Sequence, residues 1–234
     1  MAKHIGIVAC SAEGAALCYR TICLEGASSM GRHDHPEVSM HTHSLQRYME
    51  CIYRDDWRAV GELMLDSGRK LATIGADFLI CPDNTIHQGL DLVREHSPLP
   101  WLHIAEEVAA EASRRGFKHV GVTGTKYLME GPVYPPKLRE KGIAHTIPEL
   151  PQREKINSII FDELVNGRFL PESLKYFQDT ISELKKRGCD AVALSCTEIP
   201  LLVSDATSPL PTLDSTRLLA RAALKRAVEA PASA

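Results

Sequence analysis

Residues 78–87, FLICPDNTIH, run from an apolar segment straight into a polar turn. The apolar Phe78-Leu79-Ile80 predicts a short buried strand, and the residues after it carry a thiol, a carboxylate, an amide, a hydroxyl and an imidazole. A second stretch has the same form, because the apolar Ala191–Leu194 is followed by Ser195-Cys196-Thr197-Glu198. Two strands that end in turns of this kind predict an active site.

The two stretches lie at equivalent places in two similar halves of the chain. Gly6 lies 77 residues before Asp83, and Gly121 lies 75 residues before Cys196. Two short runs recur in the same order in both halves: HIGIVA at 4–9 and HVGVTG at 119–124, then GAD at 75–77 and GCD at 188–190. Similarities that recur in register indicate an internal duplication of one α/β unit.

Amphipathic stripes lie between the apolar runs, for example along residues 156–164 and 174–184, and they predict helices. Strands that alternate with helices are typical of parallel sheets. The sequence therefore predicts an α/β fold of two pseudo-symmetric parallel-sheet domains with the active site between them. We expect residues 1–98 with 212–234 to form the first domain and residues 99–211 the second, with the last helix packing back on the first half.

Composition narrows the class of protein. The 234 residues are 44% hydrophobic and carry a formal net charge of −3, which argues against a nucleic-acid partner. No apolar run approaches the ~18 residues of a membrane span, and the N-terminus does not resemble a signal peptide. The seven cysteines are odd in number and form no CxxC pair, which is typical of free thiols in a reducing cytoplasm. We therefore expect a cytoplasmic protein without membrane partners.

Asp83 and Cys196 are the candidate catalytic residues, because ligands of parallel α/β sheets bind at the carboxyl ends of the strands. If the halves face each other, the two side chains would lie on opposite faces of a bound molecule, one as base and one as acid. The alternatives are that Asp83 caps the following helix and that Cys196 is a buried core thiol. Cys81 is a further candidate for the thiol of the first turn.

Several polar residues are candidates for holding a small-molecule carboxylate substrate. The turns at residues 81–87 and 195–198 contribute hydroxyls, an amide and backbone N–H groups that can bind a carboxylate and stabilise an enolate-like intermediate. The small-residue turn expected at residues 10–14 can aim backbone N–H groups at an anion. An arginine can anchor a second carboxylate, although a solvated arginine is an equal alternative. The candidate residues are Cys10, Ser11, Arg47, Asn84, Thr85, Thr197 and Glu198.

Four histidines cluster between residues 31 and 43, namely His33, His35, His41 and His43. If residues 38–42 form a strand, His41 and His43 point to the same side and could bind a metal, with Asp34 as the nearby carboxylate. A polar strand end near the surface is the simpler interpretation. We expect no metal site and find no sequence sign of a cofactor.

The motifs together resemble those of the cofactor-independent aspartate/glutamate racemase superfamily over nearly the whole chain. The elements that carry the resemblance are Ile5-Gly6-Ile7 with Glu13, His35-Pro36-Glu37, Asp83-Asn84-Thr85-Ile86-His87, Gly124-Thr125-Lys126 with Gly131, and Ser195-Cys196-Thr197-Glu198-Ile199. The last resembles the family's Gly-Cys-Thr-Glu motif and is the most specific. The resemblance implies two pseudo-symmetric α/β domains, an interdomain active site to which Thr125 also contributes, a homodimer, and racemisation without pyridoxal phosphate.

This chain departs from the family pattern at one catalytic position. Family racemases typically carry a cysteine in both motifs, whereas the first motif here has Asp83. Cys10-Ser11-Ala12 also stands where the family often has Met-Gly-Pro. The first hypothesis is a racemase or epimerase of an aspartate- or glutamate-like amino acid. The second is a one-thiol decarboxylase or dicarboxylate isomerase on the same scaffold, and the third is a metal-dependent or small-molecule-binding protein.

Overall fold

The computed structural model describes residues 2–229, and these form two compact units. The first unit ends at Ile104 and resumes at Thr216, and the second runs from Ala105 to Ser215. No helix in this part of the chain is both long and apolar enough to cross a membrane.

The first unit is a parallel sheet with helices between its strands. Its elements in chain order are β1 (Ile5–Ala9), α1 (Ala12–Met30), β2 (Val38–Thr42), α2 (Leu45–Tyr53), α3 (Trp57–Thr73), β3 (Phe78–Ile80), α4 (His87–Val93) and β4 (Trp101–Leu102). The strand order is β2-β1-β3-β4, and every neighbouring pair is parallel. All residues of β1 and β3 are buried, as expected of strands covered on both faces.

The second unit repeats this arrangement. Its elements are α5 (Ile104–Arg114), β5 (His119–Thr123), α6 (Lys126–Glu130), α7 (Tyr134–Glu140), β6 (Ala144–Thr146), α8 (Leu150–Asp162), α9 (Pro171–Lys186), β7 (Ala191–Leu194), α10 (Ile199–Leu202) and β8 (Thr212–Asp214), followed by α11 (Ser215–Val228). The order β6-β5-β7-β8 is again wholly parallel. The prediction of two α/β halves with parallel sheets is confirmed.

Strand pairing reproduces the duplication residue by residue. Gly6 pairs with Leu79, which lies four residues before Asp83. Gly121 pairs with Val192, which lies four residues before Cys196. The sheets themselves therefore place Asp83 and Cys196 at equivalent positions, independently of the sequence similarity.

Polar contacts at the opposite ends of the same strands are also repeated. The backbone N–H of His4 donates to the Asp77 carboxylate at 2.6 Å, and that of His119 donates to the Asp190 carboxylate at 3.1 Å. The imidazole of His119 also lies 2.7 Å from Thr146 Oγ1, as that of His4 lies 2.9 Å from a serine on β2. The recurring GAD and GCD runs therefore anchor the start of the central strand in each sheet.

Local signals explain most helix boundaries. Asp56 caps α3, since its carboxylate accepts a hydrogen bond from the backbone N–H of Ala59 at 3.0 Å. The small-residue turn predicted at residues 10–14 is wrong beyond Ser11, because α1 already begins at Ala12 with Ser11 as its N-cap. Gly14 is tolerated there because the first helical turn makes few internal hydrogen bonds.

Each unit has its own apolar core. In the first, α11 contributes Leu219 and Ala223 to the cluster that contains Ile5, Ile7 and Ile22, so the prediction that the last helix packs on the first half is confirmed. In the second, the core consists mainly of the predicted stripes of α8 and α9 packed against β7. These buried strands hold the two polar turns at their carboxyl ends.

Candidate active site

Asp83 lies in the turn that joins β3 to α4, three residues after the strand ends. It is half-buried, and its Oδ1 accepts a hydrogen bond from the backbone N–H of Ile86 at 3.2 Å. The capping interaction considered as an alternative is therefore present. It fixes the carboxylate at the strand end and is compatible with proton transfer.

His87 locks this turn in place. Its Nδ1–H donates to the backbone carbonyl of Asp83 at 2.7 Å, and its Nε2 faces the backbone N–H of Ile104 at 3.4 Å. Burial, reinforced by the nearby His103 ring, holds the pKa of His87 well below its usual range. A neutral imidazole with its proton on Nδ1 matches both contacts, so His87 ties the turn to Ile104 of the same unit without carrying charge.

Cys81 is an unsuitable replacement for the missing thiol. Its side chain is fully buried in the core at the end of β3. Burial, followed by the charge of Asp83, raises the pKa of the Cys81 thiol well above its ordinary value. A thiol of this kind stays protonated and out of reach of a ligand, so Asp83 remains the candidate acid–base group of the first turn.

Tyr48 is a neighbour of this turn that sequence reasoning missed. The side chain is fully buried, and its hydroxyl has no hydrogen-bond partner among the described residues; the nearby Ser67 hydroxyl is already bonded to His41 and to a backbone carbonyl. Burial raises the pKa of Tyr48; Cys81, Cys10 and Asp83 raise it further, and the nearby Ser67 hydroxyl lowers it. Those contributions place Tyr48 among the end of β1, the end of β3 and the candidate carboxylate. The sequence signal that could have identified Tyr48 is its helical spacing with Cys51 and Ile52, the other two buried residues of α2.

The other predicted residues of the first unit fall into two groups. Cys10, Ser11 and Asn84 are almost completely buried at the carboxyl ends of β1 and β3, where the prediction places them, and Thr85 is partly exposed beside them. Arg47 instead lies exposed on α2, 3.0 Å from His43 Nδ1. It lines a surface cavity of about 490 Å³ whose other walls come from α2 and α3. No residue of the turn that contains Asp83 lines this cavity.

In the second unit, Cys196 follows β7 by two residues and contacts a carboxylate. The Cys196 thiol donates to Glu198 Oε2 at 3.0 Å, and the Thr197 hydroxyl donates to the same oxygen at 3.1 Å. Cys196 is 8% exposed, Thr197 and Glu198 each 2%. The sequence placed all three residues in one site, but it assigned Glu198 to the substrate and did not predict its contact with the thiol.

Gly124 and Thr125 support the cysteine turn from β5. A Cβ at Gly124 would lie 2.7 Å from the Ser195 carbonyl oxygen, so the absence of a side chain lets β5 approach the residue before Cys196. The Thr125 hydroxyl accepts a hydrogen bond from the backbone N–H of Leu128 at 3.2 Å and caps α6. Thr125 follows β5 where Cys10 follows β1, as the duplication requires.

The histidine cluster separates into surface and packing roles. His41 and His43 share one side of β2, with ring centroids 4.9 Å apart, which confirms the predicted orientation. The carboxylate partner of His43 is Asp66 on α3, at 2.7 Å, a contact that the sequence alone did not predict. Within residues 2–229 no three His, Cys, Asp or Glu side chains come together as a metal site, so the metal hypothesis gains no support.

Comparison with known proteins agrees with this geometry. The family model for Asp/Glu/Hydantoin racemase matches residues 7–223. The broad specificity amino-acid racemase RacX of Bacillus subtilis (strain 168) is 26% identical over 165 residues, covering 68% of each chain. A crystal structure of a candidate Asp/Glu racemase from Yersinia pestis is similar with a TM-score of 0.88 and 28% identity, covering 97% of this chain and 100% of that one.

An aspartate racemase homologue from Pyrococcus horikoshii OT3 gives a TM-score of 0.83 at 25% identity and covers 98% of this chain and 100% of its own. The similarity thus extends over both units and both polar turns. The family match runs from Ile7 in β1 to Ala223 in α11. This chain therefore belongs to the Asp/Glu/Hydantoin racemase family and is an enzyme of the amino-acid racemase type.

Proposed function

We propose that the protein is a cofactor-independent racemase or epimerase of an acidic, aspartate- or glutamate-like amino acid. In this proposal Asp83 and Cys196 move the proton at the substrate Cα. The observation that carries it is the strand register, which gives the two residues equivalent positions four places beyond the partners of Gly6 and Gly121. Family membership and a relative named as an amino-acid racemase support the reaction type.

The reaction requires one group on each face of Cα. One group removes the Cα proton while the bonding electron pair delocalises into the substrate carboxylate, and the other delivers a proton to the opposite face. Exchanging the two roles gives the reverse direction. Donors that strengthen as negative charge develops on the substrate carboxylate lower the barrier. We assign this function to the turns that contain Asn84, Thr85 and Thr197.

Substrate binding is assigned to the ends of the central strands as well. Cys10 and Ser11 follow β1, and Thr125 follows β5, so each central strand ends beside a proposed acid–base group. Arg47 is retained as a candidate for the second carboxylate, although its exposed position on α2 supports a surface role equally well.

Incubation of single enantiomers in D2O tests the proposal. Aspartate and glutamate, together with neutral and basic amino acids, are followed by proton NMR for loss of the Cα signal and by chiral chromatography for inversion. We expect exchange and inversion to be greatest for an acidic amino acid. Absence of Cα exchange across the whole panel would contradict the function, and a preference for another side chain would correct only the substrate class.

A one-thiol enzyme on the same scaffold is the second candidate, and the presence of Asp83 where the family has a cysteine favours it. Such an enzyme decarboxylates or isomerises a dicarboxylic acid with Cys196 as its essential proton donor. It predicts that Cys196→Ser abolishes activity while Asp83→Asn retains a substantial part. Loss of activity to the same extent in both variants would favour the racemase.

We further propose a homodimer in the cytoplasm. The racemase resemblance supports the dimer, and the seven free cysteines, six of them buried, support a reducing compartment. Light scattering of the purified full-length chain measures the oligomeric state directly, and a monomeric mass at micromolar concentration would contradict the dimer.

A further inference from the structure

The contact between Cys196 and Glu198 sets a direction for the proposed chemistry. Sγ lies 3.0 Å from Oε2, and both side chains are more than nine-tenths buried. Cys196 packs in an apolar core cluster that includes Met129, Ile159 and Ile199. In such surroundings a contact between a thiol and a carboxyl group is felt strongly by both groups.

Among the residues that the structure describes, no lysine, arginine or histidine forms an ion pair with Glu198, and its Oε1 is buried without a hydrogen-bond partner. The stabilising contacts all converge on Oε2, from the Cys196 thiol and the Thr197 hydroxyl. Two neighbouring anions in an apolar site repel each other, so a thiolate at Cys196 is disfavoured while Glu198 is charged.

From this geometry we propose that Glu198 is a positioning residue that keeps Cys196 in its thiol form, which makes Cys196 the acid and Asp83 the base of the resting enzyme. This inference rests on the proposed racemase function for its catalytic meaning. The duplication supports the division of labour. The position equivalent to Glu198 in the first turn is Thr85, so Asp83 has no second carboxylate at the corresponding place.

The proton balance follows from this assignment. The Asp83 carboxylate takes the Cα proton of the bound enantiomer that faces it, and the electron pair of the broken C–H bond delocalises into the substrate carboxylate. The S–H bond of Cys196 breaks as its proton is delivered to the opposite face of Cα. Protonated Asp83 and a thiolate remain; water takes the proton from Asp83, and another water returns one to the thiolate beside Glu198. The resting form therefore deprotonates one enantiomer, and the reverse reaction starts from the form with Asp83 protonated and Cys196 as a thiolate.

Alkylation of Cys196 in the absence of substrate tests the inference independently of turnover. Wild type and Glu198→Gln are treated with iodoacetamide between pH 6 and 10, and the Cys196 peptide is quantified by mass spectrometry. Glutamine keeps the size and an oxygen acceptor but removes the charge. We expect Cys196 in Glu198→Gln to alkylate about tenfold faster or more at pH 7.5, because the thiolate no longer faces an anion.

Glu163→Gln is the matched control, since the Glu163 carboxylate lies in the same unit and accepts a hydrogen bond from the Ser173 hydroxyl. Its alkylation profile should equal that of wild type. An unchanged or slower rate in Glu198→Gln overturns the inference.

If Glu198→Gln does not fold, the wild-type profile decides. The pH at which the alkylation rate of Cys196 is half-maximal is compared with ~8.5, the pKa of an ordinary thiol. A higher pH supports the inference, and a lower pH contradicts it. If Cys196 alkylates faster in Glu198→Gln as expected but the wild-type enzyme racemises no amino acid, the proposed function alone is rejected.

Discussion

The two units place their reactive groups on the same scaffold but in different order. In the first unit a carboxylate, Asp83, occupies the first position of the turn and a hydroxyl, Thr85, the third. In the second unit a thiol, Cys196, is first and a carboxylate, Glu198, is third, within hydrogen-bonding distance of the thiol. The two units thus share a strand register and differ in chemistry. In the proposed mechanism the duplication supplies the geometry, and the residue at each position determines which side gives and which side takes the proton.

Replacement of Asp83 or Cys196 should have the largest effect on activity. Cys196→Ser and Asp83→Asn each remove an acid–base group while keeping size and hydrogen bonding, and we expect racemisation to fall by roughly 10²–10⁴-fold in both. Asparagine still accepts the capping hydrogen bond from Ile86, so the turn should persist. Unchanged thermal unfolding is the control, and retention of most activity in Asp83→Asn would contradict the two-group account.

Asp83→Cys places a thiol at the equivalent position of both units, while Thr85 and Glu198 still differ. The variant should racemise measurably faster than Asp83→Asn, because a thiol can again exchange a proton at this position. The first unit lacks the equivalent of Glu198, so the new thiol should alkylate more readily than Cys196. Activity of Asp83→Cys at or below that of Asp83→Asn would show that the position does not transfer a proton.

Gly124→Ala tests the support behind the cysteine turn. Its Cβ would lie 2.7 Å from the Ser195 carbonyl oxygen and 2.6 Å from Leu128, and the backbone contact cannot yield without moving the residue before Cys196. We expect a loss of about 1–3 kcal/mol in the free energy of unfolding, as for overpacking elsewhere, together with a fall in kcat. The equivalent residue of the first unit is already Ala9.

Ile181→Val, a core change in α9 of the same unit, is the control for Gly124→Ala, since it should cost about 0.5–1.5 kcal/mol without a change in kcat. If Gly124→Ala lowers stability and leaves kcat unchanged, the glycine packs the core but does not position the turn.

The buried His87 should make the first unit sensitive to acid. Its pKa is well below the ordinary ~6.5, so between those two values the unfolded chain binds a proton that the folded chain does not, and stability falls as the pH is lowered. The contribution is at most ~1.4 kcal/mol per pH unit. Urea unfolding at pH 5–7.5 should show a shallower slope for His87→Gln than for wild type. The exposed His96→Gln should keep the wild-type slope; if His87→Gln does so too, the histidine is not buried neutral.

Tyr48→Phe should have the smallest effect on stability. Its hydroxyl is buried without a partner, so removing it should change the free energy of unfolding by no more than about 1 kcal/mol, and in the stabilising direction. A simultaneous loss of activity would show that the hydroxyl serves the Asp83 side of the site. A large destabilisation would instead reveal a hydrogen bond that the structure lacks.

Patterns along the chain were sufficient for the fold, because strand and helix periodicities and the repeated GAD and GCD runs are local properties. The equivalence of Asp83 and Cys196 was also predictable, since each lies six residues after the aspartate of its GAD or GCD run. The direction of the Glu198 side chain was not, because a turn can aim its third residue at substrate, solvent or the preceding thiol. The contact of Asp66 with His43 was not predictable either, since only the packing of α3 on β2 brings that carboxylate close.

The isotopic content of the first product tests most directly whether two groups act on two faces. A single enantiomer of the preferred amino acid is incubated with enzyme in D2O, and at low conversion both enantiomers are separated and analysed by mass spectrometry. We expect the product to carry deuterium at Cα while the remaining substrate keeps its proton. A product that retains the substrate's own proton would show that one group carries it across, and would contradict the paired roles of Asp83 and Cys196.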